Sequence, residues 1–275
     1  MLRRIKKLVK RALIPLRRPM VSRSRLVSEL RKLGVKEGGI LLVHTSLSRL
    51  GFVPGGARTV LAALREVIGK EGTLVLPTHS WEWMNRGLRT FDVRTTAGCV
   101  GQTPEVFRVM PGVRRSLHPT HSVAAQGPQA DWLLQGHERS DTPCGAGTPY
   151  AKLLERDGQI LLLGASLESN TAFHTMEALG GFPQLLRPEV ESFQLVDAEG
   201  RTQELPVAQH LEGVARCFGE MGPTLVKAGA AQTGQVGDAQ AVLISGSAFH
   251  EVMMDMMEKD PSCLTEKEAV LHPSS

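Results

Sequence analysis

Ile40-Leu41-Leu42-Val43-His44-Thr45-Ser46-Leu47-Ser48-Arg49-Leu50-Gly51 is the stretch from which the fold can be read. An apolar run of strand length stops at a polar segment that ends in glycine, the punctuation of a strand feeding a loop. Gly55-Gly56-Ala57 then opens a helix near 57–68, and Thr73-Leu74-Val75-Leu76 supplies a second apolar strand. Strand, glycine-rich loop, helix and strand make a βαβ unit, which predicts an α/β protein.

The same rhythm extends in both directions. A helix near 22–33 precedes the unit. A long loop over about 78–101 follows it, then a short strand at Ser122–Ala125, a helix after Pro128, a helix near 149–156 and a strand at Gln159–Leu163. Val190–Val196 and Arg201–Pro206 flank Asp197-Ala198-Glu199-Gly200, the pattern of a hairpin. Strands near 225–229 and 241–244 and a helix near 247–258 complete the expectation. The predicted fold is thus a single α/β domain with a mixed central sheet flanked by helices and a C-terminal hairpin region. Its expected bounds are a basic arm over 1–21, the domain over 22–262 and a tail over 263–275.

Composition narrows the function. With 275 residues, 41% of them hydrophobic, the chain can bury a full core. Aromatic residues make up only 4%, with a single tyrosine, so stacking platforms for nucleic acid are poorly supplied. Cys99, Cys144, Cys217 and Cys263 are widely spaced and suggest neither a disulfide framework nor a zinc knuckle, which fits reduced thiols in a cytosol. No run approaches the roughly 18 apolar residues of a membrane span, and no export signal is evident, so a cytoplasmic location is expected. The net charge of +4 comes from the arm: eight basic residues and no acid lie in 1–20, leaving 24 basic against 28 acidic residues elsewhere. Helical spacing of Leu2, Ile5, Leu8, Val9, Ala12, Leu13 and Leu16 admits a cationic amphipathic helix for weak membrane-surface or partner contact, or a solvated tail ended by Pro15 and Pro19.

Three segments carry candidate chemistry. His44-Thr45-Ser46-Leu47-Ser48 leads into a helix N-terminus, where small residues and free amides suit an anion, although many strand–loop–helix turns look like this for structural reasons. Arg114-Arg115-Ser116-Leu117-His118-Pro119-Thr120-His121-Ser122 gathers guanidiniums, imidazoles and hydroxyls. It reads either as a phosphate site or as a polar loop that satisfies itself. In Asn170-Thr171-Ala172-Phe173-His174-Thr175-Met176-Glu177, a helix capped by Asn170 or Thr171 puts His174 and Glu177 on one face. That is a base with a carboxylate neighbour, or an ordinary capped helix with a surface histidine.

Taken together with Gly72-Thr73-Leu74-Val75-Leu76-Pro77-Thr78 and His118-Pro119-Thr120-His121-Ser122-Val123-Ala124-Ala125, these segments resemble the aminoglycoside 3-N-acetyltransferase family over roughly Ser22 to Glu258. The resemblance implies acetyl-CoA as co-substrate, no metal, and a primary amine of an aminoglycoside or related amino sugar as acceptor. It implies a coenzyme site made by His44, Thr45, Ser46, Leu47 and Ser48, with Arg115, Ser116, Ser122 and Val123 on another side. His174 would be the general base, Glu177 its acidic neighbour, and Thr78 a contact near the thioester. Cys144 departs from the family, standing where the antibiotic-modifying members have an aromatic residue, which leaves open an amine outside the antibiotics. Glu82, Asp92 and Asp141 are the acidic residues that suit a polycationic acceptor. Two other classes fit the same residues: a metal-dependent hydrolase using His118, His121, His174 and Glu177, and a coenzyme-binding protein without turnover. Oligomeric state is not legible.

Overall fold

In the computed structural model, residues 20–140 and 142–266 are described. Most of the basic arm, Asp141 and the end of the tail lie outside the described residues. The chain runs α1 (Arg23–Lys32), β1 (Ile40–Thr45), α2 (Ala57–Ile68), β2 (Thr73–Pro77), α3 (Trp81–Asn85), β3 (Thr90–Asp92), α4 (Gln102–Arg108), β4 (Arg114–Arg115), β5 (Val123–Gln126) and α5 (Ala130–Leu134). It continues through α6 (Pro149–Glu155), β6 (Gln159–Leu163), α7 (Ala172–Leu179), β7 (Leu186–Val196), β8 (Thr202–His210), α8 (Gly222–Lys227), β9 (Ala231–Val236), β10 (Ala239–Ser245) and α9 (Gly246–Lys259).

A seven-stranded sheet in the order β4-β5-β2-β1-β6-β10-β9 forms the centre of this single α/β domain. β1 runs parallel to both β2 and β6, whereas β5, β4, β10 and β9 join antiparallel, so the sheet is mixed. Successive residues of β1 serve opposite faces. Ile40 and Leu42 join the core formed with α5, α6, α7 and α9, while Leu41 and Val43 join the core formed with α1, α2 and α4. Two-sided burial explains why the central strands read as unbroken apolar runs.

Local signals set the element ends. Ser22 caps α1 by accepting from the Arg25 amide at 3.1 Å. In α2, Val60, Leu61, Leu64, Val67 and Ile68 recur at helical spacing and all are buried. Thr148 precedes Pro149, the favoured first helical residue, to start α6. Between β9 and β10 the loop is two residues long, and Gly237 occupies a left-handed φ of 61°, where a Cβ would meet the Leu50 carbonyl at 2.7 Å.

Four expectations change. The expected loop at 78–101 contains α3 and β3. Residues 225–229, expected as a strand, fall in α8 and the turn after it; Pro223 starts that helix, and the strand lies instead at Ala231–Val236. The hairpin is longer than expected and leaves the central sheet, pairing with β3 in a three-stranded sheet β3-β7-β8 over its own core of Met84, Phe91, Phe193 and Leu195. Val21, assigned by sequence to the arm, is fully buried, and its amide donates to the Phe52 carbonyl at 2.9 Å. No helix among the described residues is long and apolar enough to cross a membrane.

The position of Val21 makes the boundary testable. A chain beginning at Met20 is expected to match the full chain in urea unfolding, whereas one beginning at Ser22 loses about 1.5 kcal/mol, the worth of a buried valine side chain. Equal midpoints for the two truncations would contradict the placement.

Candidate active site

The carboxyl ends of the parallel strands converge on one pocket of about 540 Å³. Such a crevice is where open α/β sheets usually bind ligands. His44 and Thr45 from the end of β1 line it, as do Asn170, Thr171 and His174 from the start of α7. His210 and Glu212, at and just past the end of β8, bring the smaller sheet to the same cavity.

His174 is held by a relay of charge. Its Nδ1 lies 2.6 Å from Glu177 Oε2, and Glu177 Oε1 accepts from Arg216 Nε at 2.8 Å. Glu177 is fully buried, so the Arg216 guanidinium is its counter-charge. A carboxylate only accepts hydrogen bonds, which places the proton on Nδ1 and leaves the Nε2 lone pair of a neutral His174 free. The ring packs 4.4 Å from His210 and 5.1 Å from Phe218. Asn170, one of the two expected caps, sits one residue before the cap position of α7, and its Oδ1 accepts from the Ala172 amide at 3.2 Å. Thr171, the alternative, makes no side-chain cap.

The loop after β1 is split in its use. The Ser46 amide donates to the Leu163 carbonyl at 2.9 Å and so belongs to the sheet. Leu47 and Ser48 open a 3-10 turn over Leu47–Arg49, and their amides have no acceptor among the described residues. His44 Nε2 and Thr45 Oγ1 are buried without a protein partner among the described residues, and burial pushes the His44 imidazole down to about 4.

The second predicted side of the coenzyme site is placed differently. Arg115, Thr78, Ser116, Ser122 and Val123 do not line the pocket. Arg115 donates from Nε to Thr78 Oγ1 and Ser122 Oγ, from Nη1 to the Thr96 carbonyl and from Nη2 to the Thr78 carbonyl, with the guanidinium 4.7 Å from the Phe91 ring. Burial, with Arg108 nearby, holds it down to about 9. Ser116 Oγ accepts from the Val123 amide and contacts His137 Nδ1 at 2.9 Å. In the described residues the Arg115 guanidinium is thus engaged by Thr78, Thr96 and Ser122 rather than turned toward the pocket. Arg115→Ala is expected to cost at least about 2 kcal/mol of stability while leaving acetyl-CoA affinity near its original value, since charged hydrogen bonds are lost and buried acceptors orphaned. Denaturant titration paired with calorimetry separates the two; weakened binding at unchanged stability would reverse the assignment.

The acidic residues also differ from expectation. Glu82 pairs with Arg86 and Asp92 with Arg94, neither on the pocket wall, and Asp141 lies outside the described residues. Glu168 and Glu212 line the pocket instead. The four suggested hydrolase ligands do not converge. Both Glu177 oxygens are taken, and His118 is buried against His137 at 4.4 Å with its Nδ1 accepting from the His121 amide. Sequence reasoning missed His210 and Arg216, which come from distant segments and carry no local motif.

Comparison with known proteins agrees with this architecture. Residues 42–258 match the family described as aminoglycoside 3-N-acetyltransferase. An aminoglycoside N(3)-acetyltransferase III from Salmonella sp is 34% identical over 270 residues, covering 87% of this chain and 92% of the relative. An aminoglycoside N(3)-acetyltransferase IX from Micromonospora chalcea is 37% identical over 58% of this chain, a match spanning 62% of that relative's own length. Among solved structures, AAC-IIIb in a binary complex with CoASH superposes with a TM-score of 0.75 at 27% identity, covering 88% of this chain and 97% of that one. A mutant of AAC(3)-IVa in complex with a gentamicin gives 0.78 at 28% identity, covering 93% of each chain. With a mixed-sheet α/β domain, a buried Glu177 held between His174 and Arg216 of the pocket wall, and a family match over most of its length, the chain belongs to the aminoglycoside 3-N-acetyltransferase family, a family of acyltransferases.

Proposed function

We propose that the pocket transfers an acetyl group from acetyl-CoA to a primary amine of an aminoglycoside or related amino sugar, with His174 as general base. The observation that carries this reading is the open Nε2 of His174, backed by a buried, arginine-compensated carboxylate. A solved relative binds CoASH and another holds a gentamicin, which supports the donor and the acceptor class.

In the proposed reaction the acceptor nitrogen, relieved of its proton, attacks the thioester carbonyl. The C–N bond forms, His174 Nε2 takes the amine proton, the C–S bond breaks, and the coenzyme thiolate leaves to be protonated. No acyl-enzyme is required. Base assistance of this kind is worth about 10²–10⁴-fold, so holding both substrates in one pocket has to supply much of the remaining acceleration. Thr45 Oγ1 and Asn170 Nδ2, buried beside the pocket without protein partners among the described residues, are the donors available to the developing oxyanion. The amides of Leu47 and Ser48, in the turn just past His44 and Thr45 and themselves outside the pocket lining, are the donors available to the coenzyme pyrophosphate. Glu168 provides negative charge for a cationic acceptor, whereas Glu212 is already paired with Arg187 on the same wall at 2.7 Å.

Incubating purified protein with acetyl-CoA and a panel of aminoglycosides and simple amines, with thiol release and product mass as readouts, tests the reading. A mono-acetylated aminoglycoside is expected. Acetyl-CoA binding without any acetylated amine across the panel would leave a coenzyme-binding protein and overturn the proposal.

A further inference from the structure

At the pocket, three donor side chains that the acetyl-transfer reading does not use come together: His121 and His210 line the cavity, and Cys144 is buried beside them. His121 comes from the loop before β5, Cys144 from the loop before α6, and His210 from the end of β8. Each offers one ligand atom, and the three atoms lie within 4.8 Å of one another. His210 Nε2 is buried and has no hydrogen-bond partner among the described residues, an orphan that a protein interior rarely tolerates without a purpose. The Cys144 sulfur is buried and makes no hydrogen bond among the described residues. His121 Nδ1 is already oriented by Thr120 Oγ1 at 2.9 Å, the outer-shell contact that fixes a ligating imidazole.

We propose that His121, Cys144 and His210 form a binding site for a zinc-class divalent ion at the pocket, with its fourth position open to the cavity. The donor set selects the ion: two imidazoles and a thiolate suit borderline and soft metals and exclude magnesium and calcium, which need oxygen. Zinc takes such ligands at about 2.0–2.1 Å for nitrogen and 2.3 Å for sulfur, which brings tetrahedral donors to about 3.3–3.6 Å apart. Side-chain torsions have to close the triangle by at most about 1.5 Å from its 4.8 Å outer limit. Both imidazoles would bind through a ring-nitrogen lone pair, His121 with its Nδ1 turned to Thr120 and His210 with its Nε2 unpartnered among the described residues. At Cys144 the S–H bond breaks as the sulfur–metal bond forms, and one proton leaves to bulk water through the pocket. His121 and His210 line that pocket, which gives the ion its entry path. The inference stands on these three side chains and holds whether or not the pocket transfers acetyl groups.

The test uses the full chain, stripped with a chelator and titrated with Co²⁺ under reducing conditions. One equivalent is expected to give a thiolate-to-cobalt charge-transfer band and the strong visible bands of a four-coordinate ion, both abolished by Zn²⁺. Cys144→Ser should lose the charge-transfer band, and both Cys144→Ser and His210→Gln should weaken Zn²⁺ binding at least ~10-fold. Zinc at about 100 times its Kd should raise the Tm of the native chain by roughly 5–10 °C and that of the variants much less. Should Cys144→Ser fail to fold, His210→Gln alone decides. Absence of stoichiometric cobalt binding, a thiolate band that persists in Cys144→Ser and so belongs to Cys99, Cys217 or Cys263, or native zinc affinity in His210→Gln overturns the site.

Discussion

Replacing His174 by alanine is expected to lower kcat by about 10²–10⁴-fold and to leave acetyl-CoA affinity nearly unchanged. In the proposed reaction the imidazole acts on the acceptor nitrogen, and no phosphate donor in the proposed site depends on it. His174 is partly exposed, so its removal creates no deep cavity, and the folded state should survive. Steady-state kinetics with an acceptor verified by product mass, together with isothermal titration of the coenzyme, separates the two effects. Wild-type turnover in the folded variant would remove His174 as base. His79 and His121 would then be next in line, although His79 is tied to the Tyr150 hydroxyl at 2.6 Å and both are held neutral by burial.

Arg216→Ala should have the second largest effect, and it should appear in two measurements. Glu177 has no exposure, and Arg216 is its only lysine or arginine partner among the described residues. Deleting one member of a buried ion pair leaves an uncompensated charge and typically costs about 3–5 kcal/mol, so the urea midpoint should fall by an amount equivalent to about 3 kcal/mol. Turnover should also fall, because a displaced Glu177 no longer fixes the Nδ1 proton and the ring orientation of His174. Arg216→Lys keeps the charge without the planar fork and should recover most of the stability and part of the rate. If Arg216→Ala unfolds at the native midpoint with unchanged kcat, the ion pair neither stabilises the fold nor orients the base.

The hairpin shows where pattern reading ran out. Alternation around Asp197-Ala198-Glu199-Gly200 reveals a turn between two strands, and the turn is there. Nothing in those residues states which sheet the strands join. β7 pairs with β3, a three-residue strand inside a connection that shows no strand pattern of its own. Residues 225–229 fail for another reason, since a short apolar run fits a strand or a helix turn equally well and Pro223 tips it toward helix.

The Arg115 segment teaches a similar lesson about chemistry. Arginine beside serine and histidine is what a phosphate site needs, and it is also what a buried polar junction needs. Burial decides between them, and burial belongs to the assembled chain. In the folded protein Thr78, Thr96 and Ser122 accept from the guanidinium, and the pocket lies elsewhere.

By itself the sequence determined the α/β class, the central strands, the main helices and the His174–Glu177 pair, because each depends on residues within one helical turn or one strand of each other. Apolar runs, caps and i,i+3 spacing are local properties that survive in a linear string. Only the tertiary structure decided that Arg216 compensates Glu177 across 39 positions, that His210 from the smaller sheet packs on His174, and that Arg115 turns inward. Those contacts join segments whose approach is fixed by how two sheets and their cores pack, and side-chain desolvation, which sets whether a charge binds a ligand or another residue, exists only once that packing has formed.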